Sequence, residues 1–317
     1  MKLDALDKRI INYLYHNYRE PLTVIAKSCK LSRDQVEYRL GKFKSSGLIK
    51  KYITIFDYSL LGFNELGALF VKFDPAVDIK QVIKWLSSHK NVISAGTILF
   101  KYDIFCNLVL EKYTDAEVFL SELKNLFGVQ DYEYVSVISS KFFPLKNFVQ
   151  SKTELTEELY FKSEKQARDI SGKDLLIFNY LEKDGRIKLV DLSKKTKISS
   201  KLLAYKLKNY YKRGIIPGVR IQFNMSLLGF HFYCIRLELK DLNEKFLRKL
   251  DTFCRQNKHI NGLTKCFNKY SFIIQLCVKP DQLKSAIASV NNNLSGHIVN
   301  SQVLFLDDET TAKTLPF

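Results

Sequence analysis

Ser59-Leu60-Leu61-Gly62-Phe63 returns letter for letter, 167 positions later, as Ser226-Leu227-Leu228-Gly229-Phe230. Outward from this pentapeptide the same offset aligns residues 7–63 with 174–230 without a gap. Asp7, Ile10, Asn12, Tyr13 and Leu14 reappear as Asp174, Ile177, Asn179, Tyr180 and Leu181. Arg19 and Leu22 recur as Arg186 and Leu189, and Gly47 as Gly214. Self-similarity at one fixed offset over this length marks a duplication. The segments after each copy, 64–143 and 231–306, are comparable in length, and Phe100-Lys101-Tyr102-Asp103 lines up with Asn268-Lys269-Tyr270-Ser271. Between the halves, Pro144 to Gly172 is rich in Lys, Glu, Ser and Thr and reads as a connector, with Glu154–Asp169 suited to a solvated helix.

In the first copy Leu3, Leu6, Ile10, Ile11 and Leu14 recur at helical spacing. Pro21 breaks the chain before a second helix with Leu22, Ile25 and Ala26 on its inner face. Ser32-Arg33-Asp34-Gln35 is a capping-box signature for a third helix, which turns Val36, Leu40 and Phe43 inward and ends at Gly47. Leu48-Ile49 and Tyr52–Phe56 read as the strands of a wing. Helix, helix, short turn, helix, wing is the winged helix-turn-helix plan, whose third helix fits the major groove of duplex DNA. Ser32, Arg33, Gln35, Tyr38, Arg39 and Lys42 are expected on the outward side of that helix, where Arg and Gln can pair with base edges. The second copy offers Ser199, Ser200, Lys201, Tyr205, Lys206 and Lys208, followed by Lys212 and Arg213. The first copy is expected to read bases more and the second, richer in lysine, to grip phosphates more.

After each wing the apolar runs follow a βαββαβ order, the ferredoxin-like split motif. In half one they are Leu66–Phe73, Ile79–Ser88, Val92–Leu99, Ile104–Leu110, Ala116–Phe127 and Tyr132–Ile138; half two repeats them from Phe232 to Leu306. The expected fold class is α+β, in five segments. These are a winged helix-turn-helix at 1–58, a βαββαβ domain at 59–143, a connector at 144–172, a second winged helix at 173–225 and a second βαββαβ domain at 226–317.

Composition narrows the chemistry. Fifty Lys and Arg against 33 Asp and Glu leave a formal charge of +17 on 317 residues, a field that draws polyanions. An AT-rich genome, which enriches lysine without selection for binding, explains the same total. Six cysteines show no CxxC or CxxH spacing and mostly sit in apolar runs, so they read as reduced core residues rather than a zinc site. No metal and no cofactor is expected. No run reaches the roughly 18–20 apolar residues of a membrane span, and a cytoplasmic location is expected.

With these residues laid out, the chain resembles the Lrp/AsnC family of transcriptional regulators. The resemblance rests on Leu3-Asp4-x-x-Asp7-x-x-Ile10, Ile25-Ala26, Leu31-Ser32, Val36-x-x-Arg39-Leu40, Gly47-Leu48-Ile49 and Leu61-Gly62-Phe63. It implies recognition helices within 32–46 and 199–213, with double-stranded DNA as partner. It also implies βαββαβ regulatory domains of the RAM type that pair through their sheets, here as an intramolecular pseudo-dimer, and an amino acid or other small effector near Tyr102, Asp103 and Tyr270. A homodimer of pseudo-dimers is a further partnership in keeping with it. Phe100 and Asn268 stand where the family usually has glycine, and Ser271 replaces the aspartate, which counts against that effector response. Siroheme decarboxylases share the architecture and form an enzymatic alternative. The five histidines, His16, His89, His231, His259 and His297, neither cluster nor recur at the offset. No nucleophile, phosphate-loop or metal motif is visible, so no catalytic residue is assigned. An architectural DNA-coating protein is the third reading.

Overall fold

A computed structural model describes residues 2–17, 19–143, 145–146, 158–162 and 169–316, with backbone alone at 16–17, 158–162 and 307–312. The chain divides into two compact units, and each unit draws on both copies of the repeat. The first holds residues up to Phe56 together with Asp169–Phe230; the second holds Asp57–Phe143 together with His231 onward.

The first unit pairs the two winged helices. Helix α1 (Ala5–Asn17) buries Ile10, Ile11 and Leu14. Helix α2 (Leu22–Cys29) starts after Pro21, whose fixed φ suits the residue before a helix. Helix α3 (Arg33–Ser45) opens with the expected capping box: the Gln35 amide donates to Ser32 Oγ at 3.1 Å, and the Ser32 amide to Gln35 Oε1 at 2.9 Å. After α3, Gly47 takes φ 72°, a left-handed turn that a side chain would strain. Strand β1 (Ile49–Ile55) follows.

The second unit begins with strand β2 (Glu65–Phe73), then α4 (Ile79–Ser88), β3 (Val92–Leu99), β4 (Ile104–Leu110), α5 (Asp115–Phe127) and β5 (Val129–Phe142). A short strand, β6 (Glu158–Lys162), pairs with the end of β5. It replaces the helix expected within Glu154–Asp169, most of which lies outside the described residues. The second copy of the first unit then supplies α6 (Gly172–Lys183), α7 (Leu189–Thr196), α8 (Ser200–Lys212) and β7 (Gly218–Phe223). The second unit resumes with β8 (His231–Leu239), α9 (Glu244–Gln256), β9 (Ile260–Phe267), β10 (Phe272–Val278), α10 (Leu283–Asn293) and β11 (Ile298–Ala312).

The expected two-stranded wing within each copy is corrected. Each copy gives one strand, and β1 pairs antiparallel with β7. The register places Ile53 opposite Arg220, its own equivalent at the repeat offset, so the ladder maps onto itself when the copies are exchanged. A local twofold therefore passes between them. Packing follows the exchange: Phe56 meets Phe178 at 5.1 Å, and Thr54 Oγ1 donates to the Leu181 carbonyl at 3.1 Å.

In the second unit each βαββαβ half forms an antiparallel sheet, β5-β2-β4-β3 and β11-β8-β10-β9. The last strand of each runs long and crosses to the other half. Val129–Ser136 of β5 pairs with β2, and Ser136–Phe142 with β9. Ile298–Leu306 of β11 pairs with β8, and Phe305–Ala312 with β3. Eight strands thus pair around a closed ring, leaving no edge between the halves.

Both faces of the sheets are buried, which is why these strands read as continuous apolar runs. Leu69, Val71 and Phe73 pack under α4 and α5, whereas Ala68 and Phe70 face a core shared with Ile273 and Leu304 of the other half. That shared core holds a charge. Arg236 is fully buried, ion-paired to Glu133, hydrogen-bonded to Gln302 Oε1 at 3.1 Å, and stacked between Phe70 (4.8 Å) and Tyr270 (4.2 Å). In the ladders Phe70 lies opposite Glu133 and Arg236 opposite Gln302, so the two pairs are repeat equivalents with different chemistry. Among the described residues no helix is long and apolar enough to cross a membrane.

A buried ion is costly once its partner goes. Arg236→Met should lower the stability of this unit by about 3–5 kcal/mol in urea unfolding, and adding Glu133→Gln should recover most of that loss. Equal stability of the two variants would contradict the ion pair's role.

Candidate nucleic-acid interface

The outward residues of α3 and α8 divide into two groups once placed. Arg33, Gln35 and Tyr38 on α3, with Lys42 a turn later, are exposed, as are Ser200, Lys201, Tyr205 and Lys208 on α8. Tyr38 and Tyr205, equivalent residues, are 73% and 67% exposed, high values for aromatic side chains. Arg33 lies 3.9 Å from Glu37, one turn along the same face. Ser32 and Ser199 are N-caps; Ser199 Oγ accepts from the Leu202 amide at 3.3 Å. Gln35 shares the cap, so contact with a base through its carbonyl oxygen would cost the hydrogen bond to Ser32.

Arg39 and Lys206 form the second group and are a correction to the outward reading. Arg39 Nη1 donates to Asp4 Oδ2 at 2.7 Å and also to Asp7, and only 18% of the side chain is exposed. Lys206 Nζ is 2.7 Å from Asp174 Oδ1, which Tyr210 also approaches through its hydroxyl. Asp7 and Asp174 are buried in the inner face of the first helix of each copy, and a buried carboxylate needs such a partner. Burial alone would push Asp174 up, but hydrogen bonds from Lys206, Ser171 and Tyr210 outweigh it and hold the carboxyl well below the ordinary aspartate range. These pairs fasten each recognition helix to its own first helix. The signal was present: both copies keep an acid and a base 32 residues apart.

Arg19 and Arg186 hold the two copies together. Arg19 donates to the carbonyls of Gly185 and, at 3.1 Å, of Ile187. Arg186 donates to the carbonyl of Glu20 at 3.4 Å and approaches Tyr52 Oη at 3.5 Å. Glu20 and Ile187 are repeat equivalents, so the contact is reciprocal across the local twofold. Lys51 and Glu182 add an ion pair at 2.6 Å. Periodicity reveals the recurrence of both arginines but not their target, because a backbone carbonyl leaves no pattern in sequence.

Charge separates by unit. Residues 1–56 and 169–230 carry 25 Lys and Arg against 10 Asp and Glu, a net +15. Residues 57–143 and 231–317 carry 20 against 19, a net +1.

The effector candidates part company. Tyr102, 2% exposed, donates to Glu133 Oε2 at 2.8 Å, and Tyr270 stacks on Arg236, so both surround the buried ion pair. Asp103 points elsewhere, accepting from Lys72 Nζ at 2.7 Å and the Phe73 amide at 2.8 Å. Phe100 keeps a glycine-like φ of 88°, yet its side chain is 86% exposed rather than directed inward. Arg236 is buried beside Phe70 of the shared core and paired with Glu133, whereas the Phe100 side chain is exposed. Among the described residues no group of three His, Cys, Asp or Glu is placed to hold a metal, and the six cysteines are free thiols.

Paired winged helices concentrating the positive charge define a class, the winged helix-turn-helix DNA-binding proteins, and the family model of that description matches residues 3–50 and 170–216. The chain is 30% identical over 107 residues to the regulatory protein AsnC of Haemophilus influenzae, covering 34% of this chain and 71% of that protein. It is 26% identical over 138 residues to the HTH-type transcriptional regulator FL11 of Pyrococcus horikoshii, covering 44% and 91%. It belongs to the Lrp/AsnC family of transcriptional regulators, as a tandem duplication in one chain. Among solved structures, siroheme decarboxylase NirDL matches over 98% of this chain and 94% of its own, with a TM-score of 0.65 at 13% identity, a likeness of fold.

Because Asp174 titrates lower in the folded chain than in the unfolded one, its stabilisation is complete above the unfolded value of about 3.9 and fades as pH falls toward the folded value. Asp174→Asn should cost about 2 kcal/mol near neutral pH. Urea midpoints of the two proteins should converge as the medium is acidified below about pH 4.

Proposed function

We propose that the chain is a sequence-specific regulator of transcription that engages double-stranded DNA with α3 and α8 together. The observation that carries this is the division of charge, +15 against +1. Genome composition would give both units bases at one density, whereas the first holds 25 Lys and Arg in 118 residues and the second 20 in 174, the imbalance a phosphate-binding surface needs. In this reading Arg33, Gln35, Tyr38 and Lys42, with Ser200, Lys201, Tyr205 and Lys208, meet the duplex. Arg39 and Lys206 are positioning residues, and Ser32 and Ser199 set the helix starts. The DNA partner and the reduced thiols suit the cytoplasm. A small effector at Tyr102 and Tyr270 would have to displace or join the Arg236–Glu133 pair, and two chains would associate as a dimer of pseudo-dimers.

The regulator and the DNA-coating protein differ in specificity. Binding to a selected operator and to random duplex, followed against salt, should leave a gap of several kcal/mol for the regulator and none for the coating protein. Lys201→Ala and Lys208→Ala should each weaken binding to all sequences and flatten the salt dependence by about one counterion. Tyr38→Ala should instead narrow the gap between operator and random DNA.

The second reading is a tetrapyrrole decarboxylase, favoured by the likeness to NirDL over 98% of the chain. At 13% identity that likeness carries fold and not chemistry. Three of the described histidines pack on aromatic rings: His89 on Trp85 and Phe119, His231 on Phe305, and His297 on Phe246 at 4.0 Å. Titration with siroheme should leave its absorption spectrum unchanged; a saturable shift would favour the enzyme.

A further inference from the structure

The two recognition helices are equal in geometry and unequal in chemistry. The β1–β7 ladder and the reciprocal Arg19 and Arg186 contacts relate them by a local twofold. Their first turns, where a recognition helix meets base edges, nevertheless differ at every outward position. Arg33, Asp34 and Gln35 on α3 correspond to Ser200, Lys201 and Leu202 on α8, and Glu37 corresponds to Ala204. All of these are exposed.

Each set favours different bases. An arginine fork pairs with the acceptors of guanine, and a carboxylate accepts from the amino group of cytosine. Asp34 and Glu37 would also repel the phosphates unless they faced such donors, so α3 is costly to place on a sequence lacking them. Helix α8 carries no acid at all. Its Leu202 is 43% exposed, an apolar side chain left in water on a helix already well capped, and Tyr205, three residues on, continues that face. Apolar groups in the major groove meet the thymine methyl, while Lys201 and Lys208 reach phosphates of any sequence.

We propose that the chain recognises a non-palindromic duplex. Its two half-sites are inverted about the local twofold, one containing G·C pairs under α3 and the other rich in thymine under α8. This rests on the DNA-binding reading above. It implies one fixed orientation on the duplex, which a symmetric homodimer does not have.

Selection of binding duplexes from a random pool with the full chain tests it. The expected consensus has two unlike half-sites in inverted order. A palindromic consensus, or binding without preference, overturns this inference while leaving DNA binding intact; no duplex binding even at low salt overturns the regulator reading as well. A second arm uses Arg33→Ser/Asp34→Lys/Gln35→Leu, which copies the first turn of α8 onto α3. Since α8 is capped through Ser199 with leucine at that position, the fold accommodates the change. Discrimination at the G·C half-site should fall about tenfold or more, discrimination at the thymine-rich half should stay, and affinity for random duplex should rise. Unchanged discrimination at the G·C half-site would overturn the assignment.

Discussion

The pairing of β1 with β7 is the constraint on which the DNA-facing unit depends. A lone strand at the foot of a recognition helix has unpaired backbone donors and acceptors on both edges, and each copy provides only one. Neither strand pairs within its own copy; each pairs along one edge with the other's. Once Ile53 sits opposite Arg220, the placement of α1, α6 and the two arginine-bearing loops follows. The recognition helices are then parts of one body rather than two tethered domains, and the entropy of bringing them together is lost at folding instead of at binding.

The second unit solves a related problem on a larger scale. A four-stranded sheet covered by helices on one face leaves the other face and an edge exposed. Crossing over β5 and β11 closes the edges, and the shared core of Phe70, Ile273 and Leu304 covers the faces. The ion pair within that core supplies little net stability by itself. Among the described residues, the acid that pairs with Arg236 lies on the other half.

Much of this was legible in the sequence, for identifiable reasons. The helices and the βαββαβ order follow from apolar periodicity, Pro21, the Ser32–Gln35 box and Gly47, all of which act within a few residues. What escaped was exchange. Nothing in Tyr52–Phe56 states whether its partner is Leu48-Ile49 or a strand 167 residues away, because pairing partners of a strand leave no local imprint. The end of β11 escaped for a second reason. Asp307-Asp308-Glu309 has the composition of a solvated tail, yet its backbone pairs with β3. At the interface, helical spacing places Arg39 and Lys206 on the outward face. The acids that draw them inward lie on another helix, visible only when Asp7 and Asp174 are treated as partners in need of a base.

The unlike centre of the ring has a bearing on which half can face which. Two copies of half one set face to face would oppose two Glu133 carboxylates without Arg236, and two of half two would oppose two Arg236 guanidiniums without Glu133. One of each half meets neither like-charge opposition, so the centre of the ring favours the mixed pair over either like pair.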